Sequence, residues 1–169
     1  DSTMSAIVGQ AMWHEASSFN IGRHIANCYA FFNGNHIIGD YNSGKLYKMS
    51  QDYLDENGTI IQRFIVCQHQ HVSGLLVFID ELEILMECGV GNATGDYSEP
   101  LITMEISRDG GHVWGSYGTV SIGKVGEYRQ RVAWRRLGRC RDVLIRLTLA
   151  APVRAYVLGA RARFRTGTY

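Results

Sequence analysis

Turn signals recur about every ten residues along this chain, and apolar and polar side chains alternate between them, a pattern that favours strands over helices. The clearest case is Asn33-Gly34, set between CYAFF (Cys28 to Phe32) and HIIG (His36 to Gly39). Both residues of an Asn-Gly pair tolerate positive φ, which the tightest hairpin turns require. DYNSG (Asp40 to Gly44) supplies the next turn and KLYKMS a third strand. TIIQRFIVCQ, after the polar loop QDYLDENG, reads as a fourth, so residues 28–71 are expected to form one blade-like antiparallel meander.

The run GLLVFIDELEILMECG could be a helix by its apolar content. Leu82, Ile84 and Met86 alternate, however, and glycines bracket the run, so strands are expected, with LITMEIS another after a glycine-rich loop. In YRQRVAWRRL the residues Tyr128, Gln130, Val132 and Trp134 share one face, and Arg129, Arg131, Ala133 and Arg135 the other. DVLIRLTLA puts Val143, Ile145, Leu147 and Leu149 on one side. Arg161, Arg163 and Arg165 then alternate with Ala160, Ala162 and Phe164. Two strands therefore carry arginine rows.

Apolar residues make up 46% of the 169, enough for a packed core. The four cysteines, Cys28, Cys67, Cys88 and Cys140, are irregularly spaced with no CxxC pair, and read as reduced, partly buried thiols. No apolar run is long enough for a membrane helix, and the start at Asp1 reads as a processed or truncated end. A net charge of +1 conceals a division: residues 1–104 carry four basic and twelve acidic side chains, residues 105–169 thirteen basic and four acidic. That division suits head-to-tail packing of copies, a basic face toward nucleic acid, or mutual neutralisation inside one fold.

Ser107-Arg108-Asp109-Gly110-Gly111-His112-Val113-Trp114 fits S-x-D-x-G-x-x-W, the Asp-box pattern. Asp109 can accept backbone N–H groups across a turn, and Gly111 can take the positive φ that other residues resist. Trp114 is expected to fold back as an apolar plug, with Ser107 joining the network by its hydroxyl. The expected role is structural, a hairpin staple formed by Ser107, Asp109, Gly111 and Trp114.

Asp-boxes occur in sialidases and other propeller proteins. The stretch that follows narrows the choice, because SRDGGHVWGSYGTVSIGKVGEYRQRVAWRRLGRCRD and the apolar strands after it resemble the C-terminal part of the packaged-DNA stabilisation proteins of short-tailed bacteriophages, also called tail hub or nozzle proteins. Upstream, YAFFNGNHIIGDYNSGKLYKMSQDY is similar to that family's blade ending in a GD-x-x-SG-x-LY turn. The resemblance implies an all-β fold of propeller-like antiparallel blades with an Asp-box hairpin. In 1–169 it is a single all-β region and an incomplete propeller, with the meander at 28–71 and the Asp-box blade and last strands at 101–165. It implies a virion protein of the tail, in the host cytoplasm during assembly, that stabilises packaged DNA and forms part of the ejection conduit. The implied partners are copies of itself in a hexameric ring, the portal or adaptor ring, the tail needle or tailspike, and non-specifically the packaged duplex. No enzyme activity, cofactor, metal or membrane is implied. Arg129, Arg131, Arg135, Arg136, Arg161, Arg163 and Arg165 are then candidates for contact with a neighbouring subunit, favoured because Trp134 beside Arg135 and Arg136 reads as a packing stack, or with DNA.

Other clusters carry blander readings. Cys67, His69 and His71 alternate as zinc ligands can, but read better as polar residues at a strand end. GVGNATG lacks the lysine and following helix of a phosphate loop and reads as a turn; its Asn92-Ala93-Thr94 is only formally a glycosylation acceptor. Glu127-Tyr128 beside Arg129 and Arg131 would support a sialidase-like hydrolase, yet adjacent strand residues point to opposite faces. Trp13, Trp114, Trp134 and nine tyrosines could serve a carbohydrate-binding module, but fit a sheet core better.

Overall fold

A computed structural model describes residues 17–18, 22–92 and 95–167, which fall into two units, within 1–51 and within 52–169. Trp13, Ala93 and Thr94 lie outside the described residues. Every regular element described is a strand, and every pairing is antiparallel. No helix among the described residues is long and apolar enough to cross a membrane.

In the first unit, β1 (Ser17–Ser18) pairs with β2 (Gly22–Arg23), and β3 (Ala26–Phe32), β4 (Asn35–Asp40) and β5 (Leu46–Met49) form a meander. Asn33 and Gly34 take φ of 47° and 74°, the double positive φ that a tight hairpin between β3 and β4 needs. In the second turn Asp40 accepts the amide of Asn42 at 2.8 Å and the Ser43 hydroxyl. Of the large apolar side chains in this sheet only Ile38 is buried, while Tyr29, Phe31, Phe32, Leu46 and Met49 stay exposed.

The second unit holds β6 (Asp55–Glu56), β7 (Thr59–Ile60), β8 (Arg63–Val66), β9 (Val77–Met86), β10 (Leu101–Ser107), β11 (Gly115–Ser121), β12 (Val132–Cys140), β13 (Leu144–Leu149) and β14 (Val157–Thr166). One sheet runs β11-β10-β13-β8, another β12-β9-β14, and β6 and β7 form a short ribbon. Apolar residues from both larger sheets share one core: Ile102, Met104, Ile106, Ile145, Leu147 and Leu149 from the first, Leu82, Ile84, Val132, Trp134 and Leu137 from the second. Two sheets packed on a common core form a β-sandwich. The Trp134 indole N–H donates to the Gly118 carbonyl at 3.2 Å, linking the two sheets by a polar bond at the rim of that core.

Three expectations change. The anticipated fourth strand of the meander breaks at Ile61-Gln62, and its second half, β8, pairs with β13, where Arg63 also donates to the Ala151 and Val153 carbonyls just beyond that strand, each at 2.6 Å. In place of the expected propeller-like blades the second unit forms the sandwich, because in its two core sheets every pairing except β10 with β11 joins strands distant in sequence. Tyr128 and Gln130 do not share the core face of Val132 and Trp134, since β12 starts only at Val132; both precede it in an exposed turn, where Tyr128 is 72% exposed.

Candidate functional site

The outer face of the β12-β9-β14 sheet gathers most of the arginines that the sequence singled out. Register places Glu81 between Arg135 of β12 and Arg163 of β14, and Glu83 opposite Arg161. Glu81 meets Arg135 at 3.0 Å, Arg163 at 3.1 Å and Arg131 at 3.8 Å, while Glu83 meets Arg131 at 2.8 Å. Both oxygens of Asp80 accept from Arg165, each at 2.8 Å, the fork geometry that suits guanidinium to carboxylate. An acidic strand thus lies between two arginine strands.

The hydrogen bond from Arg165, opposed by partial burial and aided by the charges of Arg165 and Arg163, holds Asp80 below the usual carboxylate range. The bond from Arg131 does the same for Glu83, and Glu83 in turn raises Arg131. Of the three readings of the charge division, neutralisation within one fold is the one this face displays. Arg129 and Arg136 stand apart: both are exposed, with no ion pair among the described residues, and Arg136 sits in a bulge of β12 with φ of 59°.

The Ser107–Trp114 turn joins β10 to β11. Ser107, 1% exposed, donates to Asp109 at 2.6 Å and accepts the Gly111 amide at 2.8 Å. Asp109 also accepts the Val113 amide at 2.9 Å. The Ser107 hydroxyl first, then the Val113 amide, lower the Asp109 pKa. Gly111 has φ of 97° and packs on Leu144 and Trp114. Trp114 is half-buried under the Arg146 guanidinium, which lies 4.3 Å from its ring centroid and pairs with Glu105 at 2.7 Å. The tryptophan is therefore roofed by a cation.

Three contributors have roles that the sequence reading did not give them. Arg108, an unspecified position of the motif, donates to the Leu137 carbonyl at 2.5 Å and to the Tyr117 hydroxyl, tying the turn to the other sheet. Gly89 and Gly91 are needed because backbone passes close to them: a Cβ on Gly89 would lie 3.0 Å from the Glu127–Tyr128 backbone, and one on Gly91 2.7 Å from the Ser98 carbonyl. No spacing rule predicts such contacts, one within the β9–β10 loop and one with the distant turn before β12. The glycines permit this close approach.

Cys67 is half-buried against the core, with its thiol pKa raised by that burial, and its amide bonds the Ile145 carbonyl at 2.9 Å. His69 pairs with Asp142 at 2.6 Å, and His71 is exposed. Among the described residues no group of three or more His, Cys, Asp or Glu side chains is placed to hold a metal ion. Glu127 accepts the Lys124 amide at 2.9 Å within its own turn, and Tyr128 beside it is exposed. The free cysteines range from exposed Cys28 to buried Cys88 and Cys140.

Residues 62–165, more than half of the chain, match the family model described as Bacteriophage P22 Gp10, beta-sandwich. The chain belongs to that family. The matched span runs from just before β8 to the last but one residue of β14 and so takes in the arginine face, the Ser107–Trp114 turn and both core sheets. Family membership makes this Gp10-type domain part of a bacteriophage structural tail protein. No curated protein matches the chain.

Proposed function

We propose that this Gp10-type domain is the C-terminal portion of a packaged-DNA stabilisation protein, the tail hub or nozzle of a short-tailed phage. Its work is mechanical: it assembles as a ring with copies of itself, contacts the portal or adaptor ring above and the tail needle or tailspike below, and helps retain and then conduct the genome. The family match across the sandwich is the observation that carries this reading. An ion-paired sheet face and a hydrogen-bonded turn suit a part that bears load without turnover.

The arginines divide between two duties in this reading. Arg131, Arg135, Arg163 and Arg165 hold β9 in its sheet, whereas exposed Arg129 and Arg136 are free to meet a neighbouring subunit. Arg129→Glu with Arg136→Glu is expected to dissociate the ring and leave each chain folded. Light-scattering mass of the full-length protein tests it: a ring for the parent and a folded single chain for the variant support the reading. A parent that is monomeric, or a variant ring of unchanged mass, refutes it. Cleavage of a sialoside by the parent would instead make it a hydrolase.

A further inference from the structure

The strand β14 ends its sheet, pairing with β9 along one edge, and no strand among the described residues pairs with its other edge. A free edge of ten residues presents a row of unsatisfied N–H and C=O groups. Its two faces differ sharply. Arg161, Arg163 and Arg165 lie on the outer face, while Ala160, Ala162 and Phe164 lie on the core-facing side yet are all exposed. The opposite sheet does not reach under them, although Leu82 and Ile84 beside them on β9 are each 4% exposed.

We propose that the free edge of β14 receives an extended segment of a partner protein in which carboxylate and apolar residues alternate. The fold already contains such a segment on the other side. Across β9, Glu81 and Glu83 face the arginines while Leu82 and Ile84 lie beside Ala162 and Ala160. The same side-chain rows run along the free edge. On the outer face six arginines (Arg131, Arg135, Arg139, Arg161, Arg163 and Arg165) accompany three carboxylates (Asp80, Glu81 and Glu83), leaving a cationic surplus, and three of the six stand on β14. Carboxylates directly across a strand pair from arginines stabilise it, and like charges there destabilise it. On the other face the small side chains of Ala160 and Ala162 leave room for larger apolar groups.

These rows also argue against a second copy of β14 as occupant, because antiparallel pairing of the strand with itself would set arginine against arginine. Strand addition of this kind takes affinity from main-chain bonds and specificity from alternate side chains. An edge carrying charge usually repels pairing; here the carboxylates of β9 draw the guanidinium groups along the sheet face instead of out past the edge.

The test uses the 169-residue chain with a fluorescent octapeptide, Ile-Asp-Glu-Leu-Glu-Ile-Leu-Met, copied from residues 79–86. Binding is read by anisotropy and the contact by amide hydrogen exchange. The expected result is slowed exchange within residues 157–166. Replacing both glutamates of the peptide by lysine is expected to weaken binding at least about tenfold, because like charges then face each other. Of two peptides N-methylated at alternate residues, one is expected to lose binding, since it can no longer donate to the edge. Equal binding of the glutamate and lysine peptides, or binding that leaves the β14 amides unprotected, overturns the proposal. So does displacement of the peptide by mixed-sequence duplex DNA without amide protection, which would make the face a phosphate surface.

Discussion

Ser107 carries more of the turn than its size suggests. Its buried hydroxyl donates to Asp109 and accepts from Gly111, so Ser107→Ala leaves the Gly111 amide without that acceptor. An unsatisfied buried group costs about 1–3 kcal/mol, and a loss of that size in urea unfolding is the expected outcome. Asp109 gives the same turn a pH signature. Its folded pKa lies below the ordinary 3.8, so the contribution is present above the unfolded value and disappears as pH falls through the folded one. Urea midpoints followed from about pH 5 to pH 2 are expected to fall less steeply in Asp109→Asn than in the parent, and parallel curves would contradict this. Ser107, Asp109 and Gly111 were legible in the sequence because the bonds among them are local, whereas the tie from Arg108 to Leu137 was not. The cation over Trp114 was not, since Arg146 arrives from a strand more than thirty residues away.

At the scale of the element, β9 is the acidic strand on which two basic ones close. Glu81→Gln removes the carboxylate that three arginines approach and leaves them facing one another. Added salt screens attraction in the parent but repulsion in the variant. Thermal midpoints in rising sodium chloride are therefore expected to drift down for the parent and up for Glu81→Gln. Slopes of the same sign would show that the ladder contributes little. The alternation within β9, β13 and β14 could be read directly, and so could the faces that β9 and β13 bury. The bulge that puts Arg136 at positive φ could not, nor the exposed turn that takes Tyr128 off the core face, because both depend on where β12 begins to pair.

At the scale of the whole molecule, stability rests where the two sheets meet. Met104, fully buried in β10, belongs to the core that both sheets share, and Met104→Ala is expected to cost about 2–5 kcal/mol through lost burial and the cavity left behind. A calorimetric or urea measurement below about 1 kcal/mol would mean that the sheets close over the gap. Among the described residues of the first unit there is no comparable centre, as its three-stranded sheet buries only Ile38 among its large apolar side chains. From the amino-acid order alone came most of the longer strands, the turns at Asn33-Gly34 and Asp40–Gly44, the buried faces of β9 and β13, the Ser107–Trp114 lock and the two arginine rows, all set by side-chain period and local hydrogen bonding. Which strands became neighbours was decided by tertiary structure. That choice moved β8 from the expected meander to β13, made a sandwich in place of blades, and seated Glu81 between Arg135 and Arg163. Period-two alternation specifies which way a side chain points; the partner it meets is fixed only when distant strands compete to bury the same core.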